Sequence, residues 1–138
     1  MTVRLNPSLS FRDNAREAMT FYHSVFGGEL SISTFGEFQP GAEPAQQDMV
    51  MHSQLETTDG LVLMAADTPE GMEYRPQAGV SVSLSGDEKD RLRGYWQRLS
   101  EGGTVIVPFG AAPWGDTFGM CTDQFGTTWM VNAADRAA

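Results

Sequence analysis

Two double glycines, Gly27-Gly28 and Gly102-Gly103, each close an amphipathic stretch, and each is followed by three strand-like segments. No other feature restricts the possible folds as strongly. Phe21 precedes the first pair by the same six positions that separate Trp96 from the second. Aligning the turn glycines Gly60 and Gly126 sets Leu61-Val62-Leu63-Met64 against Thr127-Thr128-Trp129-Met130, so Met64 and Met130 correspond. Chance could produce either match alone. With the shared element order, the two predict a duplicated βαβββ module and an α+β fold, in which paired curved sheets face each other around a cleft and helices cover the outer faces.

The segments can be placed by their local chemistry. Val3–Phe11 alternates like a strand, and Pro7 inside it requires an edge position or a bulge because proline donates no ladder hydrogen bond. In DNAREAMTFYHSVFGGEL, Asp13 or Asn14 can cap a helix and Glu17 completes a capping box with Asn14; Ala15, Ala18, Tyr22 and Val25 recur at helical spacing. Strands are predicted at Glu29–Phe35, Asp48–Thr57 and Leu61–Ala66, with a tight turn at Asp59-Gly60. Gly36–Gln47, with Pro40, Gly41 and Pro44, reads as a surface loop. The second module repeats the order: a strand at Val80–Ser85, a helix from Asp87 to Ser100, and strands at Thr104–Phe109, Thr117–Thr122 and Thr127–Asn132. The expected organisation is one compact domain, with module one at about 1–67, a linker at 68–79 and module two at about 80–135.

Composition removes several function classes. The chain has 138 residues and a net charge of −9, which repels phosphate backbones and anionic membrane surfaces, so no nucleic-acid or membrane partner is expected. The opening MTVRLNPSLSF lacks the apolar run of a signal peptide, and no segment approaches the roughly 20 apolar residues that span a bilayer; a cytoplasmic location is expected. The single cysteine, Cys121, can form neither an internal disulfide nor a thiolate cluster, in keeping with a reducing compartment.

FYHSVFGGEL, DMVMHSQLET followed by LVLMAADTPEG, and above all PWGDTFGMCTDQFGTTWMV make the chain resemble the PhnB-like branch of the vicinal oxygen chelate (glyoxalase/bleomycin-resistance) superfamily. The resemblance covers nearly the whole chain and implies paired βαβββ modules and a homodimer. Enzymes of that superfamily hold a divalent metal through one ligand from each of four strands. Carried over, those places fall on Pro7, Met64, approximately Ser81 and Met130, none of them a usual ligand. A hard cation given two thioethers, a proline and a hydroxyl loses more hydration energy than it regains, so no metal or other cofactor is expected, with a divalent metal as the alternative. Soft Cu(I) accepts thioethers, but Met64, Met130 and Cys121 read more simply as flexible apolar filler of a ligand cup.

Individual residues carry the functional expectations. His52, in an alternating strand, is the candidate catalytic base and a candidate ligand contact, against a plain reading as a half-buried histidine bonded to a carbonyl. His23 belongs on a solvated helix face or a dimer contact. Trp114, between Pro113 and Gly115, offers a flat face and an N–H donor for stacking on a planar ligand, or serves as a lid on its own core. Trp129 reads as core, Asp116 and Asp123 as turn residues bonding nearby N–H groups, and Cys121 as a buried apolar thiol. His52 and Glu56 share one strand face but stand about 13 Å apart along it, too far to hold one ion. The leading expectation is metal-free binding or sequestration of a small, partly apolar molecule in a cleft lined by Met64, Met130 and Trp114. The alternatives are a lyase, isomerase or oxygenase using His52 as base or an atypical metal site, and a regulatory protein that uses the acidic surface and the 36–47 loop. No glycine-rich nucleotide loop leads into a helix, so methyl transfer is not expected.

Overall fold

A computed structural model describes residues 3–135, and the chain divides between Pro76 and Gln77 into two compact units, one per module. In the first unit, β1 (Ser8–Phe11), α1 (Ala15–Phe26), β2 (Glu29–Thr34), β3 (Val50–Glu56) and β4 (Val62–Asp67) form an open sheet in the order β1-β4-β3-β2, with α1 packed on one face. The short helices α2 (Phe35–Phe38) and α3 (Pro44–Gln47) replace most of the loop expected at 36–47. The second unit repeats the plan: β5 (Val82–Gly86), α4 (Lys89–Ser100), β6 (Thr104–Ala111), β7 (Thr117–Thr122) and β8 (Thr128–Ala133) are ordered β5-β8-β7-β6, with α4 on one face. In each sheet the last three strands run antiparallel, and the strand before the helix returns parallel to the last. No helix among the described residues is long and apolar enough to cross a membrane.

Pro7 shortens the first strand. β1 starts only at Ser8 and lies at the sheet edge; the Pro7 carbonyl still accepts the Met64 N–H at 3.0 Å, while its missing N–H interrupts nothing. The capping box does not form either, since the Asn14 side chain makes no cap hydrogen bond. Asp67, at the end of β4, replaces it: one carboxylate oxygen accepts the Ala15 N–H and the other the Val50 N–H, both at 2.8 Å. This buried carboxylate therefore joins the starts of α1 and β3 to the end of β4, a long-range cap with no local signature.

The helix stripes correct the alignment of the two modules. α1 buries Ala18, Tyr22 and Val25, and α4 buries Leu92, Trp96 and Leu99 with the same spacing. Tyr22, rather than Phe21, is thus the counterpart of Trp96, because Glu101 adds one residue between α4 and its double glycine. The second glycine of each pair faces the hairpin backbone. A Cβ on Gly28 would strike the Glu56 carbonyl, and one on Gly103 the Thr122 carbonyl, so both modules need the bare backbone where the chain leaves the helix.

Candidate ligand-binding faces

In each sheet, alternate residues point toward the long helix and the rest line the opposite face. The four expected residues all lie on or beside such faces. In the first unit, Met64 is paired with Ser8 on one side and Gln54 on the other, and Gln54 in turn with Ser31. His52 pairs with Ser33 on the same face, is exposed, and has no hydrogen-bond partner or carboxylate in reach among the described residues. Glu56 is engaged elsewhere, with Arg4 at 3.1 Å. The residues flanking Met64 on this face, Ser8, Gln54, Ser31, His52 and Ser33, offer hydroxyl, amide and imidazole groups.

The matching face of the second unit has other chemistry. Met130 pairs with Ser83 and Met120, and Met120 with Val107. The strand register sets Ser8, next to Pro7, and Ser83, within two residues of the approximate place at Ser81, directly beside the methionines. Cys121 points the other way and is fully buried against the helix side; burial, reinforced by the Asp123 charge, raises its thiol pKa to about 11. It cannot join Met120 and Met130 in a soft-metal set.

Trp114 stands at the end of this face, in the turn between β6 and β7. Gly115 takes a positive φ of 99°, and the turn closes through Ala112 N–H to the Asp116 carbonyl at 2.8 Å. The indole is 59% exposed yet fixed: it makes a T-shaped contact with the Phe118 ring at 5.4 Å between centroids and 67°, and Nε1–H donates to Asn132 Oδ1 at 3.2 Å. Asn132 Nδ2 donates to Asp116 Oδ2 at 3.0 Å, and Asp116 Oδ1 accepts the Asp135 N–H at 3.1 Å. The Asn132 amide and then the Asp135 N–H hold the Asp116 carboxyl below its ordinary range, outweighing the opposing effect of burial, and the Trp114 indole adds the smallest contribution. Asp123 behaves as expected of a turn carboxylate, accepting the Phe125 and Thr127 N–H groups, but it also fixes the buried Trp129 indole at 2.8 Å.

Phe118, Met120 and Asn132 were not among the expected site residues. The signal for them was period-two alternation, since Asn132 lies two residues from Met130 and Phe118 two from Met120. His23 bonds the Gly28 carbonyl at the helix end, 3.0 Å away, and is exposed, as a solvated-face histidine should be. A separate hollow of about 680 Å³ opens at the start of α1 and contains none of the expected residues. Several of its polar groups are engaged: Gln46 bonds Glu70, Asp67 accepts backbone N–H groups, and Arg12 stacks over Tyr74.

Residues 3–132 match the family model described as 3-demethylubiquinone-9 3-methyltransferase. The crystal structure of protein PA1353 from Pseudomonas aeruginosa is 36% identical, covers 96% of this chain and 98% of its own, and superposes with a TM-score of 0.86. A PhnB protein from Bacillus cereus is 25% identical over 96% of this chain and 100% of its own, with a TM-score of 0.71. For fold alone, a glyoxalase-related enzyme from Fulvimarina pelagi is 14% identical, with 96% and 89% covered and a TM-score of 0.61.

Proposed function

We propose that this chain, which belongs to the 3-demethylubiquinone-9 3-methyltransferase family and with it to the PhnB-like branch of the vicinal oxygen chelate superfamily, binds a small planar molecule without using a metal. The supporting observation is the second module's open face, where an exposed but anchored indole stands beside Phe118, and Met120 and Met130 lie on the same sheet face. Flat aromatic and polarizable thioether groups favour an uncharged, planar, partly apolar ligand. Ser83 and Ser85 supply hydroxyl groups at its margin.

The metal alternative has little support in the donor chemistry. Ser8 and Met64 in the first unit, and Ser83 and Met130 in the second, offer one hydroxyl and one thioether each, whereas a divalent cation prefers carboxylate or imidazole. Among the described residues no three His, Cys, Asp or Glu side chains gather in a metal-holding group. A general-base role for His52 lacks an orienting partner, and methyl transfer lacks a glycine-rich turn into either long helix. The family description is therefore taken as a mark of ancestry.

Native mass spectrometry of protein purified without added metal, with elemental analysis of the same sample, tests the reading. A metal-free species, with or without a bound organic adduct, is expected. Stoichiometric Ni, Zn, Fe or Mn would overturn it and make the enzyme reading the one to pursue.

A further inference from the structure

Asn132 is held at both ends by groups that leave it one orientation. An indole N–H can only donate and an ionised carboxylate can only accept, so the amide must turn its oxygen to Trp114 and its NH2 to Asp116. Turning it over would set N–H against N–H and oxygen against oxygen. Asp116 is itself tied to the chain beyond β8 through the Asp135 N–H, so it provides a fixed reference for the amide.

We infer that Asp116 is the positioning residue of the stacking face, fixing the indole plane of Trp114 through the Asn132 amide and, more weakly, by direct interaction with the indole N–H. This inference rests on the proposed stacking role but predicts more than a contact. Trp114 is 59% exposed and meets Phe118 in a T-shaped contact, so most of its ring surface is open to a ligand. A side chain with that freedom would otherwise sample several rotamers, and a ligand would have to immobilise it on binding. The Asp116–Asn132 pair sets the ring beforehand, which favours a rigid, uncharged planar ligand over a flexible aliphatic one. An anionic ligand would face the Asp116 carboxylate unfavourably.

The test uses the full-length protein and riboflavin, an uncharged planar probe whose fluorescence is quenched by stacking on indole. The Trp114 Nε1–H resonance in a ¹⁵N NMR spectrum is recorded alongside. Asp116→Ala should move that resonance toward a solvent-exposed indole position and weaken riboflavin binding about tenfold, the loss of one charge-assisted hydrogen bond. Asp116→Asn, whose amide oxygen can still accept from Asn132, should recover most of both. Asn132→Leu removes both bonds at similar volume and should shift the indole as Asp116→Ala does, which covers the case where the latter disturbs folding. An unchanged Trp114 resonance in both Asp116→Ala and Asn132→Leu would overturn the inference. If the resonance moves as expected but the wild type fails to quench riboflavin, the positioning stands and the planar-ligand reading fails.

Discussion

In the first module the cross-strand neighbours of Met64 are Ser8 and Gln54; in the second, those of Met130 are Ser83 and Met120. The first-module row then ends on Ser31 and the second on Val107. The same backbone plan therefore sets polar neighbours beside the methionine in one copy and a more apolar, aromatic-tipped row beside it in the other. Helix-side residues are constrained by packing in both modules, with Tyr22 and Trp96 at matching places, whereas the open-face residues are freed from that constraint. Divergence collects where packing does not forbid it. Function should be sought in the face that spends large apolar side chains on exposure, because those side chains gain nothing there from the unit's own core.

The strongest challenge to the idea of a shared plan is at the helix exits. Gly28→Ala and Gly103→Ala should each destabilise by about 3 kcal/mol or more, since a backbone carbonyl blocks the new Cβ, whereas Gly27→Ala, with open space but a φ of 74°, should cost about 1 kcal/mol. Urea unfolding midpoints would show it, and a tolerated Gly103→Ala would mean the second module docks its helix differently. At the equivalent hairpin starts the modules should differ. Asp123→Ala, which strands two backbone N–H groups and the Trp129 indole, should cost about 3 kcal/mol, and Thr57→Ala, which frees only the Leu61 N–H, about 1 kcal/mol. Equal losses would break that asymmetry.

Trp114→Ala should change stability by no more than about 1 kcal/mol while abolishing riboflavin quenching, a separation of folding from binding that thermal melts and titration can read together. The smallest effect concerns pH. Asp116 has a lowered folded pKa, so its contribution is present above the unfolded value of 3.8 and is lost only as pH falls through the lower folded value. The Trp114 indole resonance should therefore hold steady from pH 8 down to about pH 4. Drift already at pH 6 would show that the carboxylate is not held as described.

Much of the fold was legible because local chemistry marks it. Asp59-Gly60 and the Asp123–Gly126 turn fix the hairpins, the double glycines end the helix segments, and alternation located most strands within a residue or two. What escaped depended on contacts distant in sequence. The Asp67 cap acts across 52 positions and the Trp114–Asn132 bond across 18, and neither spacing has a signature. Trp114 itself could be singled out from its Pro113 and Gly115 neighbours, but its anchoring amide could not, since Asn132 alone looks like the end of a strand. Two short helices at 35–38 and 44–47 were missed because four residues carry too little periodicity to register.

The most direct measurement is a ¹⁵N,¹³C NMR titration of the full chain with riboflavin, following indole N–H, side-chain amide and methionine methyl signals. The account predicts that Trp114, Asn132, Met120 and Met130 shift together while the Trp129 indole, bonded to Asp123 in the core, stays in place. Shifts confined to first-module residues such as Met64 and Gln54, with Trp114 unmoved, would contradict it.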